Sequence, residues 1–440
     1  MSKKFSDDFL WGCATASYQV EGATKVGGRV DCIWDTYAKV PGAIIAGQNG
    51  DVAADQYNRY KEDVAIMASL GFQSYRFSIA WPRIIKEDRS VNLEGINYYI
   101  NLCEELRKYN ILPVVTLYHW DLPQYLEDKG GWTNRATAYE FLEYSKVCFK
   151  YLAKYVHKWI TLNEPYCSAY LGYLVGRHAP GIKDFDKANR AVHHLNLAHG
   201  LVVNYYNSLN LDAEIGIVLN PNMPRPASRK AEDLKASRNQ QAFDTDVFIL
   251  PLLGKGYPEE VINELGVKYP IEEGDLDIIS SPFNFIGINY YFENVVKYQE
   301  GEFNNYTEAL SAGPVTQMGW PIVPSGLMRV LEYFNKISDG MPLYITENGI
   351  ACDDKVDIDG RVRDYERMDY LRKHFEVCLE AIEKGIPLKG YFVWSFIDNF
   401  EWAFGYERRF GIVHCNYSNM ERTIKDSAYM IRDYISGFMI

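Results

Sequence analysis

Apolar runs of strand length alternate with helical patterns along the 440-residue chain, and this predicts an α/β fold. The runs are nearly continuous in apolar residues, as expected of parallel strands covered by helices. Eight such units in a chain of this length predict a single-domain (β/α)8 TIM barrel with extended βα loops over residues 1–440. The competing architecture, an open doubly wound sheet, is weakened because no glycine-rich phosphate loop follows any strand.

The expected strands are residues 9–16, 73–81, 111–120, 158–163, 213–220, 283–291, 342–349 and 389–396. Before the second, Tyr57, Tyr60, Val64 and Met67 recur at spacings of three and four, and Gly71 closes the helix. Helical stretches at 98–109 and 139–155 precede the third and fourth strands. Leu371, Phe375, Cys378 and Ile382 share one helix face before the eighth, with Gly385 after them. A final helix falls within 422–435. Long insertions are expected at 177–187, 221–238 and 291–318.

Composition narrows the function classes. With 47% hydrophobic residues the chain can bury a large core, and a net charge of −12 argues against nucleic acid or an anionic membrane as partner. No run is long enough for a membrane-spanning helix. Asp7 and Asp8 interrupt the N-terminal stretch before any apolar segment, so no secretory leader is expected and a cytoplasmic location is. Eight scattered cysteines without a CxxC pair read as small buried hydrophobes.

In such barrels the site forms where strands end and βα loops begin. There the sequence places Gln19 and Glu21 after the first strand, Arg76 in the second, and His119, Trp120 and Asp121 after the third. Asn163 and Glu164 end the fourth and Asn220 the fifth. Asn289 and Tyr291 end the sixth, Glu347 and Asn348 the seventh, and Trp394, Asp398, Glu401 and Trp402 the eighth. A lone glutamate among 58 acidic residues is usually a solvated charge. Glu164 and Glu347 each follow an apolar run, where an unpaired charge is costly. Two such carboxylates, with no metal-ligand cluster, fit the acid and nucleophile of glycoside hydrolysis. Arg76 and the Tyr291 phenol are suited to keep Glu347 ionised, and the charge on Glu347 would raise the pKa of Glu164.

The segments "FLWGCATASYQVEGA", "YRFSIAWPRI", "YHWDLP", "TLNEP", "ITENG" and "WSFIDNFEWAFGYERRFGIV" together resemble family-one glycoside hydrolases, the β-glucosidase family, over nearly the whole chain. The resemblance implies a retaining double displacement without metal or organic cofactor, with Glu164 as acid/base and Glu347 as nucleophile. It implies that Arg76, Asn289 and Tyr291 support catalysis. Gln19, His119, Trp120, Asn163, Glu401 and Trp402 would hold the sugar with Trp394 and Phe410, and Trp320 would line the leaving-group side. The expected substrates are short soluble β-glucosides such as cellobiose and aryl glucosides, in the setting of cellulose degradation, for a monomer or homo-oligomer. Two alternatives are a 6-phospho-β-glucosidase, against which Glu401 stands, and a catalytically silent sugar-binding relative, against which both glutamates stand. Arg408 and Arg409 are expected to face structural acids.

Plainer readings apply elsewhere. His193, His194 and His199 lack metal-ligand spacing and suit helix packing. Asp121, Asp398 and Asn399 look like loop-shaping residues, and Trp81, Trp132 and Trp159 like packing.

Overall fold

The computed structural model describes residues 4–309 and 313–438. Residues 1–3 and 439–440 of the expected domain, and 310–312 of the expected 291–318 insertion, lie outside them. Eight parallel strands close into a barrel: β1 (Leu10–Ala14), β2 (Ser74–Ser78), β3 (Leu112–Tyr118), β4 (Lys158–Asn163), β5 (Glu214–Leu219), β6 (Phe285–Asn289), β7 (Leu343–Asn348) and β8 (Leu388–Trp394). β1 pairs with both β2 and β8, which completes the ring. Helices follow every strand, including Gln56–Ser69, Leu93–Lys108, Ala136–Leu152, Phe185–Ser208, Ala231–Gln241, Pro324–Ile337, Tyr365–Glu383 and Asp426–Ile435. The expected (β/α)8 barrel is the observed fold.

Local chemistry sets the helix ends. Asp184 caps Phe185–Ser208 by accepting the Lys187 N–H at 2.9 Å. Pro324 opens Pro324–Ile337, where its missing N–H costs nothing. Side-chain alternation then divides the apolar residues into two layers. Trp159 and Leu162 of β4 pack outward against the helices, while Ile160 joins Val114, Val218, Phe285, Tyr344 and Phe392 inside the barrel. Gly12 and Gly216 make room there, since a Cβ at either would lie within 3 Å of the Phe392 or Phe285 ring.

The strand ladders slip just before both candidate glutamates. Register shifts fall between Ile160 and Asn163 of β4, and between Ile345 and Glu347 or Asn348 of β7. Such irregularities re-aim side chains, and here they turn the last residues of each strand toward the mouth.

Two of the expected insertions carry structure. Arg225–Pro226, Val295–Tyr298 and Tyr306–Ala309 form a small three-stranded sheet, and Ala231–Gln241 is helical. The 177–187 insertion ends early, because Phe185 already begins a helix. After β8, Val413–Asn416 pairs with Glu421–Ile424 as a hairpin.

All eight cysteines are buried and free. Trp81, Trp132 and Trp159 are core residues. His193 bonds Tyr257 and Asp275, His194 the Trp132 carbonyl, and His199 the Thr161 hydroxyl. Among the described residues no group of side chains could hold a metal ion, and no helix is long and apolar enough to cross a membrane.

Asp398 does more than shape a loop. It accepts from Lys425 at 2.7 Å and Arg409 at 2.6 Å, and Lys425 also reaches Asp354 at 2.5 Å, which Arg367 meets at 2.6 Å. Burial pushes the Asp398 carboxyl up, but Lys425 and Arg409 outweigh it and hold it below the usual carboxylate range. This buried network ties the loops after β7 and β8 to the last helix. Breaking a buried pair strands a charge, so Lys425→Met is predicted to cost about 3 kcal/mol, measured by denaturant unfolding.

Candidate active site

A pocket of about 390 Å³ opens at the C-terminal mouth of the barrel. Glu347 is the penultimate residue of β7, and Glu164 directly follows β4 with a φ of +45°. Left-handed backbone at a glutamate costs about 1–3 kcal/mol and persists only where neighbours enforce it. Here the Glu164 N–H donates to the Val218 carbonyl and its own carbonyl accepts from Cys167, each at 2.9 Å.

The two carboxylates have different surroundings. Glu347 accepts from Arg76 Nη1 on Oε1 and from the Tyr291 hydroxyl on Oε2, both at 2.7 Å. Glu164 accepts from Asn289 Nδ2 at 2.6 Å and from the Cys167 thiol at 3.1 Å. One carboxylate touches a cation and the other touches only neutral donors. Burial raises the Glu164 carboxyl, the charge of Glu347 adds to it, and together they bring it to about 8. Burial also raises Glu347, opposed by the Arg76 charge and the Tyr291 hydrogen bond. The proton of the pair therefore resides on Glu164.

Arg76 also holds the surrounding frame. It donates to Asn163 Oδ1 at 2.5 Å, to the Thr346 carbonyl at 3.0 Å and to the Thr116 hydroxyl at 3.3 Å. Asn163 and Arg76 lie behind the pocket wall. The Asn163 Oδ1 also accepts from Asn289 at 3.1 Å, its amide nitrogen meets His119 Nε2 at 3.2 Å, and its backbone carbonyl accepts from Trp120 at 2.9 Å.

The remaining expected residues converge on the same cavity. Gln19, His119, Trp120, Asn289, Tyr291, Trp320, Trp394, Glu401, Trp402 and Phe410 all line it. Gln19 donates to Asn399 Oδ1, the Phe400 carbonyl and Glu401 Oε2, which leaves its own Oε1 buried without a partner among the described residues. His119 Nδ1 is likewise unpartnered, and burial with the nearby Arg76 charge keeps the ring neutral. Two buried groups with unused capacity face a cavity sized for a sugar ring. Burial, then the charges of Glu347 and Glu164, raise Glu401 to about 8. Trp120 and Trp402 both have positive φ and pack with ring centroids 4.6 Å apart. Trp320 lies parallel to Phe292 at 5.1 Å.

The strand-end criterion also collects residues with other work. Glu21 pairs with Arg83 at 3.1 Å and accepts from Tyr99 at 2.6 Å, outside the pocket lining. Asn348 is consumed by Tyr290, Tyr370 and Tyr391. Asp121 accepts from Ser17 at 2.8 Å, and burial raises it to about 7. Arg409 faces Asp398, and Arg408 lies 3.6 Å from Glu407. Conversely, Tyr166, Cys167, Arg177, His178, Asn222, Gln240, Asp244, Asn294, Tyr306 and Glu308 line the pocket without having been singled out. Cys167 was discoverable as the residue one turn after Glu164. The others sit in the segments that follow β4, β5 and β6, whose positions depend on packing.

Comparison with known proteins identifies the family. The chain matches the model of Glycosyl hydrolase family 1 over residues 1–437. It is 46% identical to Beta-glucosidase A of Thermotoga maritima over 99% of this chain and 98% of that one. It is 43% identical to Beta-glucosidase A of Acetivibrio thermocellus, covering 99% of both. The solved family 1 β-glucosidase from Thermotoga maritima superposes with a TM-score of 0.96 at 44% identity, covering 99% of each chain. The chain therefore belongs to glycosyl hydrolase family 1 and is a glycoside hydrolase.

A carboxyl whose folded pKa is raised to about 8 lowers stability as pH rises from its unfolded value toward 8, because only the unfolded state releases the proton there. Glu164→Gln removes that effect while keeping the shape. It is predicted to be more stable than wild type by about 1–2 kcal/mol at pH 8, with the difference gone by about pH 4, in paired unfolding curves.

Proposed function

We propose that this chain is a β-glucosidase that removes terminal β-D-glucosyl residues from short soluble β-glucosides, including cellobiose and aryl glucosides, with retention of configuration. Glu347 is the nucleophile and Glu164 the acid/base. The observation that carries the reading is the unequal environment of the two glutamates, with Arg76 and Tyr291 on Glu347 and only neutral donors on Glu164.

In the first step Glu347 attacks the anomeric carbon while Glu164 gives its proton to the departing glycosidic oxygen. The Glu347 carboxylate becomes an ester and loses its charge. Its contribution to the raised pKa of Glu164 then disappears, so the now ionised Glu164 is a better-matched base for the incoming water. Water attacks, Glu164 takes its proton, and the ester bond breaks to restore Glu347. Tyr291 and Arg76 keep the nucleophile charged and oriented between turnovers.

The names of the relatives support glucose in the glycone position. The paired hydrogen-bonding groups of Gln19 and Glu401 and the indoles of Trp394 and Trp402 suit a pyranose, whose hydroxyls need bridging and whose C–H face needs a flat surface. Glu401 opposes the 6-phospho reading, because a carboxyl held by Gln19 stands where a phosphate would need a cation. Both arginines of the 401–410 loop already face acids.

Glu347→Ala is predicted to lose roughly 10⁴-fold in kcat on a nitrophenyl β-glucoside. Glu164→Ala is predicted to retain turnover of an activated aryl glucoside once azide is added, with a β-glucosyl azide as product. Wild-type rates in Glu347→Ala, or no azide product with Glu164→Ala, would contradict the assignment.

A further inference from the structure

Asn220 directly follows β5 and lines the pocket, yet the reaction described above gives it no part. Its amide is aimed at a sulfur: Asn220 Nδ2 donates to Cys167 Sγ at 3.5 Å. Cys167 in turn donates to Glu164 Oε2 at 3.1 Å. Three side chains thus form a line from the tip of β5 to the carboxyl that follows β4.

The line has a direction. An amide N–H can only donate, so the sulfur accepts on one side and its S–H points at the carboxyl on the other. Burial, then the Glu164 charge, push the Cys167 thiol well above its ordinary pKa, so it keeps its proton at neutral pH. The backbone holds the pair as well, because the Cys167 N–H donates to the Glu164 carbonyl at 2.9 Å. A wide helical turn, Cys167–Leu171, begins at this residue. Such turns are frequent at functional sites.

The chemistry makes an unusual demand on whatever meets Glu164 Oε2. Glu164 has to carry a proton before the first step and be ionised before the second. A cation there would hold it ionised throughout, as Arg76 does for Glu347. An apolar side chain would leave a buried anion short of donors once the proton is given up. A thiol avoids both outcomes, since it is a donor without charge and a weak one.

The other groups that act on this carboxyl come from separate strands. Burial and then the Glu347 charge raise Glu164, while Asn289, Cys167 and Arg76 lower it. Tyr291 and Glu401, each raised first by burial, also face the Glu164 charge. His119 is kept neutral by burial, and Arg177 acts on the thiol. A substitution at Cys167 leaves all of these in place.

We propose that Cys167, held by Asn220, is a positioning residue that balances Glu164 between its two protonation states and so sets the alkaline limit of the reaction. The inference rests on the reading of Glu164 as the acid/base. A hydrogen bond to the ionised form lowers the pKa of an acid, so losing the thiol raises it. The alkaline limb of kcat/KM follows the acid of the free enzyme, and it therefore moves up.

The test measures kcat/KM for a nitrophenyl β-glucoside as a function of pH. Cys167→Ala is expected to move the alkaline limb up by about half a pH unit, the size of one weak hydrogen bond. Cys167→Ser, which restores a donor, is expected to bring the limb back to the wild-type position. Cys167→Val, also without a donor, takes the place of Cys167→Ala if that variant does not fold. A limb within about 0.1 pH unit of wild type in the folded donor-free variant would overturn the role of the thiol. So would a limb that Cys167→Ser leaves where the donor-free variant puts it. A purely structural side chain would lower the plateau and leave the limb in place. In Glu164→Gln the limb is expected to vanish, and its persistence there would contradict Glu164 as the acid itself.

Discussion

One guanidinium orders the active site. Glu164 and Glu347 are buried and Glu401 half-buried around a single pocket, and among the described residues Arg76 forms an ion pair with Glu347 alone. Three carboxyls this close cannot all ionise in a medium that solvates charge poorly. The position of Arg76 therefore decides which one carries the charge. Its reach across the barrel, from β2 to Thr116 on β3, Asn163 on β4 and Thr346 on β7, also fixes the strand ends that present both glutamates. Electrostatic asymmetry and barrel geometry thus share one side chain. The frame is rigid where charge is placed, and Asn289 extends it by linking Glu164, Asn163 and Thr346.

The barrel was legible because its strands are apolar on both faces and its helices have one apolar side. Those patterns follow from burial, and burial is what a (β/α)8 barrel imposes. Glu164 and Glu347 stood out for the same reason, since each ends a run that buries everything before it. Glu21 shows the limit of that signal. It also follows an apolar strand, yet Arg83 and Tyr99 take it up away from the cavity. Sequence can mark a carboxyl that needs a partner, but the partner is chosen in three dimensions.

Other features left no local trace. The ladder slips in β4 and β7 and the left-handed backbone of Glu164, Trp120 and Trp402 arise from strand closure and loop packing. The small sheet of Arg225–Pro226, Val295–Tyr298 and Tyr306–Ala309 is assembled from short polar segments of two insertions, with no periodicity to announce it. It is these insertions that bring Asn222, Gln240, Asp244 and Glu308 to the pocket. The strand-tip residues of the pocket are readable from the sequence, and those of the insertions are not. Such insertions vary without disturbing the barrel, so their contribution to a pocket leaves no regular pattern to read.

The most direct test of the account is to identify the residue that becomes glycosylated. A fluorinated β-glucoside with a good leaving group forms its ester quickly and loses it slowly, which allows peptide mapping of the trapped enzyme by mass spectrometry. The account predicts a single glycosyl adduct on Glu347. An adduct on Glu164, or inactivation without any covalent sugar, would contradict it.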